Sequence, residues 1–317
     1  MSSVAVVGAG AWGTALAIQA ARAGCDVSLW ARDPAPLRAT RRSPHLPDHR
    51  LPDRVALPDA LPGPGPDAVL LAVPVQHLRA IAAGLRTPAP LVACCKGIEA
   101  GTGRLPLEIL ADLHPACPGA VLTGPNFAHE VASGLPAAAV LACAAPDLRA
   151  RLSRLLASPA FRIYGGDDPL GAGLGGAAKN VVAIAAGAVM GAGLGENARA
   201  ALITRGLAEL SRLVVAGGGR VETVAGLSGL GDLLLTCTGG ASRNYTLGLA
   251  LGRGEALASL LSRRSGVTEG VATAPALLAR AAGVDLPVCA AVAALLAGQT
   301  TLEDAITALL ARPRRDE

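Results

Sequence analysis

Val4 to Gly13 reads VAVVGAGAWG. A short β-branched run stops on glycine. WGTALAIQAARAG (12–24) follows, with apolar residues at helical spacing and a glycine at its end. Glycines 8, 10 and 13 therefore lie where a strand passes into a helix, the context of a dinucleotide-binding turn. In that reading Gly8 permits the tight turn and Gly10 lets the backbone approach a pyrophosphate. Gly13 lets the helix pack close to the strand, and the helix N-terminus attracts the anion. A glycine-rich structural turn has the same spacing, and the flanking strand and helix favour the binding reading.

Outward from this turn, the first half alternates strand and helix. DVSLWA (26–31) is a second strand candidate. Residues 33–66 are crowded with proline and predict little regular structure beyond a turn or two of helix. DAVLLAVP (67–74), a helix through Val75 to Gly84, PLVACC (90–95), a helix near Leu105 to Leu113 and AVLTGP (120–125) come next. AAAVLAC (137–143) and FRIYG (161–165) flank an Arg-rich helix from Pro146. This order predicts an α/β, mostly parallel, doubly wound sheet. After Gly165 long Ala/Leu-rich segments take over: Ala178–Met190, Ala198–Val215, Tyr245–Arg253 and Val271–Ala281. The expected division is a dinucleotide-binding domain over 1–170 and an all-α domain over 171–317.

Composition narrows the function classes. The chain is 51% hydrophobic, 16% charged and 2% aromatic, so its core must be built from Ala, Val, Leu and Ile. A net charge of +4, with arginine pairs only at 41–42, 263–264 and 314–315, forms no basic stripe and argues against a nucleic-acid surface. Seven cysteines at positions 25, 94, 95, 117, 143, 237 and 289 show no zinc-ligand spacing, and no metal is expected. They read as small apolar core residues in a reducing compartment. No basic, then apolar, leader precedes VAVVGAG, and the charge-free run Val181–Gly195 is too short to span a bilayer. A cytoplasmic protein is expected.

The charge of the second strand's end bears on the cofactor. An NAD enzyme usually has an acid there for the ribose hydroxyls. This chain has LWARD, and Arg32 before Asp33 is placed to meet a 2′-phosphate. NADPH is slightly favoured over NADH unless Arg32 is a solvated loop residue.

Of 28 basic residues, 26 are arginine, and the two lysines are Lys96 and Lys179. Arginine binds phosphate well but cannot release its proton at physiological pH; lysine can when burial or a neighbouring cation lowers its pKa. Lys96 follows a strand at the end where open α/β sheets bind ligands. Lys179, in GGAAKNVVAIAAG (175–187), has no other charge around it from Gly171 to Gly195. Both settings are unlike a solvated surface, and both lysines are candidates for proton chemistry beside a nicotinamide. No histidine has a comparable position, His129 reading as structural.

GAGAWGTALA, CCKGIEAGTGRL, GPNFAHEVASGLP, GGAAKNVVAIAAG, NARAALITRGLAELSRL and GLSGLGDLLLTCTGGASRN together resemble the bacterial NAD(P)-dependent glycerol-3-phosphate dehydrogenases nearly end to end. The resemblance implies a Rossmann domain plus a helical domain, usually as a homodimer. It also implies interconversion of dihydroxyacetone phosphate and sn-glycerol 3-phosphate, feeding phospholipid synthesis. By the same resemblance Lys179 takes the proton in alcohol oxidation and Lys96 touches substrate and cofactor. Asp232 is the acid beside the catalytic lysine and Thr236 a nearby polar contact. Ser242, Arg243 and Asn244 take the substrate phosphate, and Gly124 and Asn126 are substrate contacts. Ala11, Trp12, Arg32, Ala128, Arg243, Val267 and Glu269 match cofactor positions. Asp232 is the only acid between Glu222 and Glu255, so a lone carboxylate amid Gly and Leu calls for a partner, with Lys179 the natural one.

The chain departs from the family's pattern at Asn126, where Ser or Thr is more usual, at Tyr245–Thr246, where a basic pair is usual, and in VTEG (267–270) for VVEG. Two other readings share these residues. A hydroxy-acid or 6-phosphogluconate-type dehydrogenase would lack KGIEAGTG and SRN. A catalytically silent dinucleotide-binding protein would have no need of Lys179, Lys96, Asp232 and Arg243 together.

Overall fold

A computed structural model describes residues 2–263, 267–281 and 283–313. Arg264, Arg314 and Arg315 of the arginine pairs lie outside them. β1 (Ser3–Val7) runs into α1 (Ala11–Arg22) and back through β2 (Asp26–Trp30). The proline-rich stretch holds α2 (Ala35–Thr40) and a small hairpin, β3 (Arg42–Ser43) and β4 (Leu46–Arg50). That hairpin is more regular than the sequence reading allowed. Its prolines are tolerated because it forms a separate two-stranded sheet with free edges. β5 (Ala68–Leu71), α3 (Val75–Ala82), β6 (Leu91–Ala93), α4 (Pro106–Leu113) and β7 (Gly119–Thr123) resume the alternation. α5 (Ala128–Ser133), β8 (Ala137–Ala142), α6 (Pro146–Leu156) and β9 (Phe161–Gly166) complete it.

The main sheet has the order β2-β1-β5-β6-β7-β8-β9, parallel except between β7 and β8. It is the expected Rossmann-type sheet with helices on both faces. The order reverses beside β1, so the glycine turn opens at the topological switch point, where such sheets bind ligands.

Helices follow: α7 (Pro169–Gly191), α8 (Gly195–Ala216), α9 (Val221–Ala225), a π-helical turn (Leu227–Gly231) and α10 (Asp232–Thr238). α11 (Arg243–Gly252), α13 (Glu269–Arg280) and α14 (Pro287–Leu296) pack on α7, with α12 (Leu257–Arg263) beside α11 and α15 (Leu302–Leu310) beside α14. Asp168 starts α7 by accepting a hydrogen bond from the Gly171 N–H at 2.8 Å. α7 begins earlier than the apolar run predicts, and its 23 residues are long enough to cross a bilayer. Length therefore does not exclude a span, but 89% of its apolar window is buried against the rest of the protein. It is the central core helix. Arg280 of α13 fastens the helices to the sheet, donating to both carboxylate oxygens of Glu108 on α4 at 2.8 Å each.

Candidate active site

The three glycines of the first turn have separable causes. Gly8 has φ +108°, and a Cβ there would lie 2.7 Å from Val73 Cγ1. A Cβ at Gly13 would fall 1.8 Å from the Gly8 carbonyl oxygen, so only glycine lets α1 meet β1. At Gly10 a Cβ would meet nothing within 4 Å. The space over Gly10 is open, and α1 begins there without a side-chain cap, its first N–H groups belonging to Ala11 and Trp12. That cradle fits an anionic pyrophosphate. Ser43 Oγ, buried in the hairpin, donates to the Ala9 carbonyl at 2.8 Å and braces the turn from outside.

Arg32 is exposed just beyond β2. Asp33 Oδ1 accepts from the Ala35 N–H at 3.1 Å and so is engaged at the start of α2. Ala128 is the first residue of α5, and Val267 is exposed just ahead of α13.

The two lysines meet on one carboxylate. Lys179 Nζ donates to Asp232 Oδ1, and Lys96 Nζ donates to Asp232 Oδ2 at 2.5 Å. Lys179 Nζ also donates to Thr236 Oγ1 at 2.8 Å, while Lys96 Nζ reaches the Gly124 carbonyl at 3.0 Å. Thr236 Oγ1 in turn donates to the Asp232 carbonyl at 2.6 Å, which leaves a lone pair for the lysine. The sequence paired Asp232 with Lys179 alone; the fold divides it between both lysines.

This arrangement answers the cost of burial. Asp232 is 1% exposed, and an unpaired carboxylate there would be strongly destabilising. Burial pushes the Lys179 ammonium down to about 8, with Asp232 opposing that shift and Lys96 adding to it. A lysine at that value carries a proton at neutral pH and can give it up.

Around this centre, Asn126 Nδ2 donates to the Ala138 carbonyl at 3.1 Å, while its Oδ1 is buried without a partner. Ser242 caps α11 by accepting from the Tyr245 N–H at 3.2 Å. Arg243, the first residue of that helix, is exposed. Asn244, grouped with these two by resemblance, has its amide engaged inside the protein. Its Nδ2 donates to Asn180 Oδ1 at 2.9 Å, and its Oδ1 accepts from the Gly270 N–H at 3.0 Å. Any outward contact from Asn244 falls to its backbone N–H. The sequence reading passed over Asn180 and Thr123. Asn180 adjoins Lys179 in an otherwise charge-free helix, which was the available signal. Thr123, whose buried hydroxyl has no partner, carried none.

Glu269 connects the helices to the turn that follows β5 in the sheet. Its Oε1 accepts from the Val75 N–H at 3.3 Å at the start of α3, and its Oε2 is buried without a partner. Burial raises its carboxyl to about 7. The folded protein then holds a proton that the unfolded chain loses at an ordinary carboxylate pKa. Cofactor-free stability should therefore decline as pH rises from about 4.5 to about 7, then level off. Glu269→Gln removes the penalty and is expected to gain roughly 1–3 kcal/mol at pH 8, with little change at pH 4. Melting temperatures of both proteins across that range check it; equal melting at pH 8 contradicts the assignment.

The family profile for the NAD-dependent glycerol-3-phosphate dehydrogenase N-terminus matches residues 3–149, and that for the C-terminus matches 168–307. A glycerol-3-phosphate dehydrogenase (NAD(P)+) of Gluconobacter oxydans is 54% identical, covering 98% of this chain and 97% of the relative. Its counterpart in Acidiphilium cryptum is 58% identical, covering 99% and 98%. The crystal structure of glycerol-3-phosphate dehydrogenase from Coxiella burnetii superposes with a TM-score of 0.92 at 35% identity, covering 98% of this chain and 99% of that one. With both profiles matched in order, the chain belongs to the NAD-dependent glycerol-3-phosphate dehydrogenase family.

Proposed function

We propose that this chain is an NAD(P)-dependent sn-glycerol-3-phosphate dehydrogenase. It interconverts dihydroxyacetone phosphate and sn-glycerol 3-phosphate, which supplies glycerophospholipid synthesis. The observation that carries the reading is the Lys96–Asp232–Lys179 centre, buried at Asp232 and Lys179, with a lysine brought near neutrality where the carboxyl ends of the strands meet the helices.

In the reduction, Lys179 Nζ gives a proton to the oxygen of the substrate ketone. In the oxidation, the neutral amine takes the proton of the secondary hydroxyl. Asp232 holds the lysine in place, and Thr236 directs a second Nζ–H away from the substrate. Lys96, Gly124 and Asn126 orient the triose. Arg243, with Ser242 and the backbone of Asn244 at the start of α11, neutralises the phosphate. The nicotinamide cofactor supplies or accepts the hydride when bound. Gly8, Gly10, Ala11, Trp12 and Gly13 would hold its pyrophosphate side, and Arg32 its adenosine side. Lys96, Ala128, Arg243, Val267 and Glu269 would line the remainder.

NADPH is favoured slightly over NADH, supported by the place of Arg32 just beyond β2, next to an Asp33 whose Oδ1 already accepts from the Ala35 N–H. We further propose a homodimer without a metal, divided near residue 170. Seven free thiols support a reducing, cytoplasmic setting.

The test follows NADPH absorbance with dihydroxyacetone phosphate, repeated with NADH. Turnover is expected with both, and reduction should fall through an apparent pKa near 8 as pH rises, while oxidation rises. Folded protein with no turnover on either cofactor sinks the reading.

A further inference from the structure

Asp232 is aimed by an irregular piece of backbone. The Gly231 N–H bonds the Gly226 carbonyl at 3.1 Å, five residues back, within the π-helical turn Leu227–Gly231 that leads into α10. In an α-helix each residue turns about 100°, so closing this turn with four-residue spacing would swing Asp232 off its present direction by about that angle.

The turn rests on α7. A methyl group at Gly175 would lie 3.0 Å from the Ser228 carbonyl oxygen and 3.6 Å from Gly229 Cα. On the other side, a Cβ at Gly229 would fall 2.1 Å from the Val224 carbonyl oxygen. The register is regular: Gly175 underlies Ser228, and four residues on in each segment Lys179 holds Asp232. Gly175 and Lys179 share one face of α7. The same approach that seats the turn therefore brings the carboxylate to the lysine.

We propose that Gly175 is a positioning residue for the proposed proton transfer, acting through the π-helical turn on Asp232. The proposal rests on the dehydrogenase reading given above. A side chain at 175 pushes the Ser228 backbone off α7 by several tenths of an ångström and draws Asp232 away from Lys179. Asp232 holds the Lys179 ammonium up against burial. Its withdrawal lets that value fall further, so the pH profile must move as well as the rate.

The test compares Gly175→Ala with wild type and with Gly173→Ala, whose methyl meets only Leu105 Cδ1 at 3.6 Å. Gly175→Ala is expected to lose about tenfold or more in kcat, with the apparent pKa of glycerol 3-phosphate oxidation displaced downward. Gly173→Ala should keep the wild-type rate and profile. A Gly175→Ala enzyme with wild-type kcat and pH profile overturns the proposal. If Gly175→Ala does not fold, Gly231→Ala probes the same turn. Its methyl has contacts no closer than 3.6 Å, and alanine's higher helix propensity than glycine's favours regular helix through the turn. The same loss and displacement are expected in smaller measure, and an unchanged rate and profile overturn the proposal equally. Wild type without turnover on dihydroxyacetone phosphate would instead sink the dehydrogenase reading.

Discussion

Lys179→Arg is expected to lose at least about a hundredfold in kcat in both directions, the scale of a missing general acid–base group. The substitution keeps a cation beside Asp232, so the carboxylate is not left buried and alone. What it removes is the ability to titrate. A guanidinium stays protonated throughout the working pH range, whereas burial brings Lys179 to about 8. The variant should therefore also lose the pH dependence assigned to Lys179 in whatever activity remains. NADPH absorbance with dihydroxyacetone phosphate measures the rate, and binding of NADPH checks that the cofactor side is intact. Small primary amines added to Lys179→Ala should restore part of the turnover, because they return a titratable nitrogen to the same space. A Lys179→Arg enzyme near wild type would remove Lys179 from the proton-transfer step.

Gly248→Val carries the largest expected effect on stability. α7 and α11 cross with their backbones in contact, and four glycines make that possible. A Cβ at Gly187 would lie 2.0 Å from the Tyr245 carbonyl oxygen, and at Gly191 2.2 Å from that of Leu249. From the other helix, Gly248 would place one 1.9 Å from the Ile184 carbonyl oxygen and Gly252 one 2.3 Å from that of Ala188. Backbone on both sides leaves no flexible side chain to give way. The helices must separate, opening a core of Ala and Val that has few aromatics to refill it. A loss on the order of 3 kcal/mol or more is expected, read as a lower denaturant midpoint or a failure to accumulate folded protein. Gly240→Ala, whose methyl would meet nothing within 4 Å, should change little. An unchanged midpoint for Gly248→Val would show that the crossing yields easily. Since α7 carries Lys179 and α11 opens at Ser242 and Arg243, the same contact sets the distance between the proposed proton-transfer and phosphate groups.

Much of the site was legible because it is written in local patterns. The glycine spacing at 8, 10 and 13 states three backbone requirements, and the structure shows a different physical reason at each. The arginine bias singled out two lysines, since an unusual residue choice is visible without any fold. Ser242, singled out only by the resemblance, proves to cap α11 through a bond spanning three residues. Other features needed distance in sequence to become distance in space. Lys96 and Asp232 are 136 residues apart and share a hydrogen bond. Asn244 looked outward beside Arg243, yet its amide faces the interior of the helical core.

By itself the sequence determined the alternation of strands and helices, the place of the glycine turn and the two lysines that stand out against an arginine background. Each is a matter of backbone freedom, side-chain period or intrinsic acidity, which neighbours along the chain decide. Only the tertiary structure decided that one carboxylate serves both lysines, that a π-helical turn aims it, and that α7 is buried rather than exposed to another solvent. Those outcomes depend on which surfaces pack together, and an apolar helix or a lone acid has no partner until the fold supplies one.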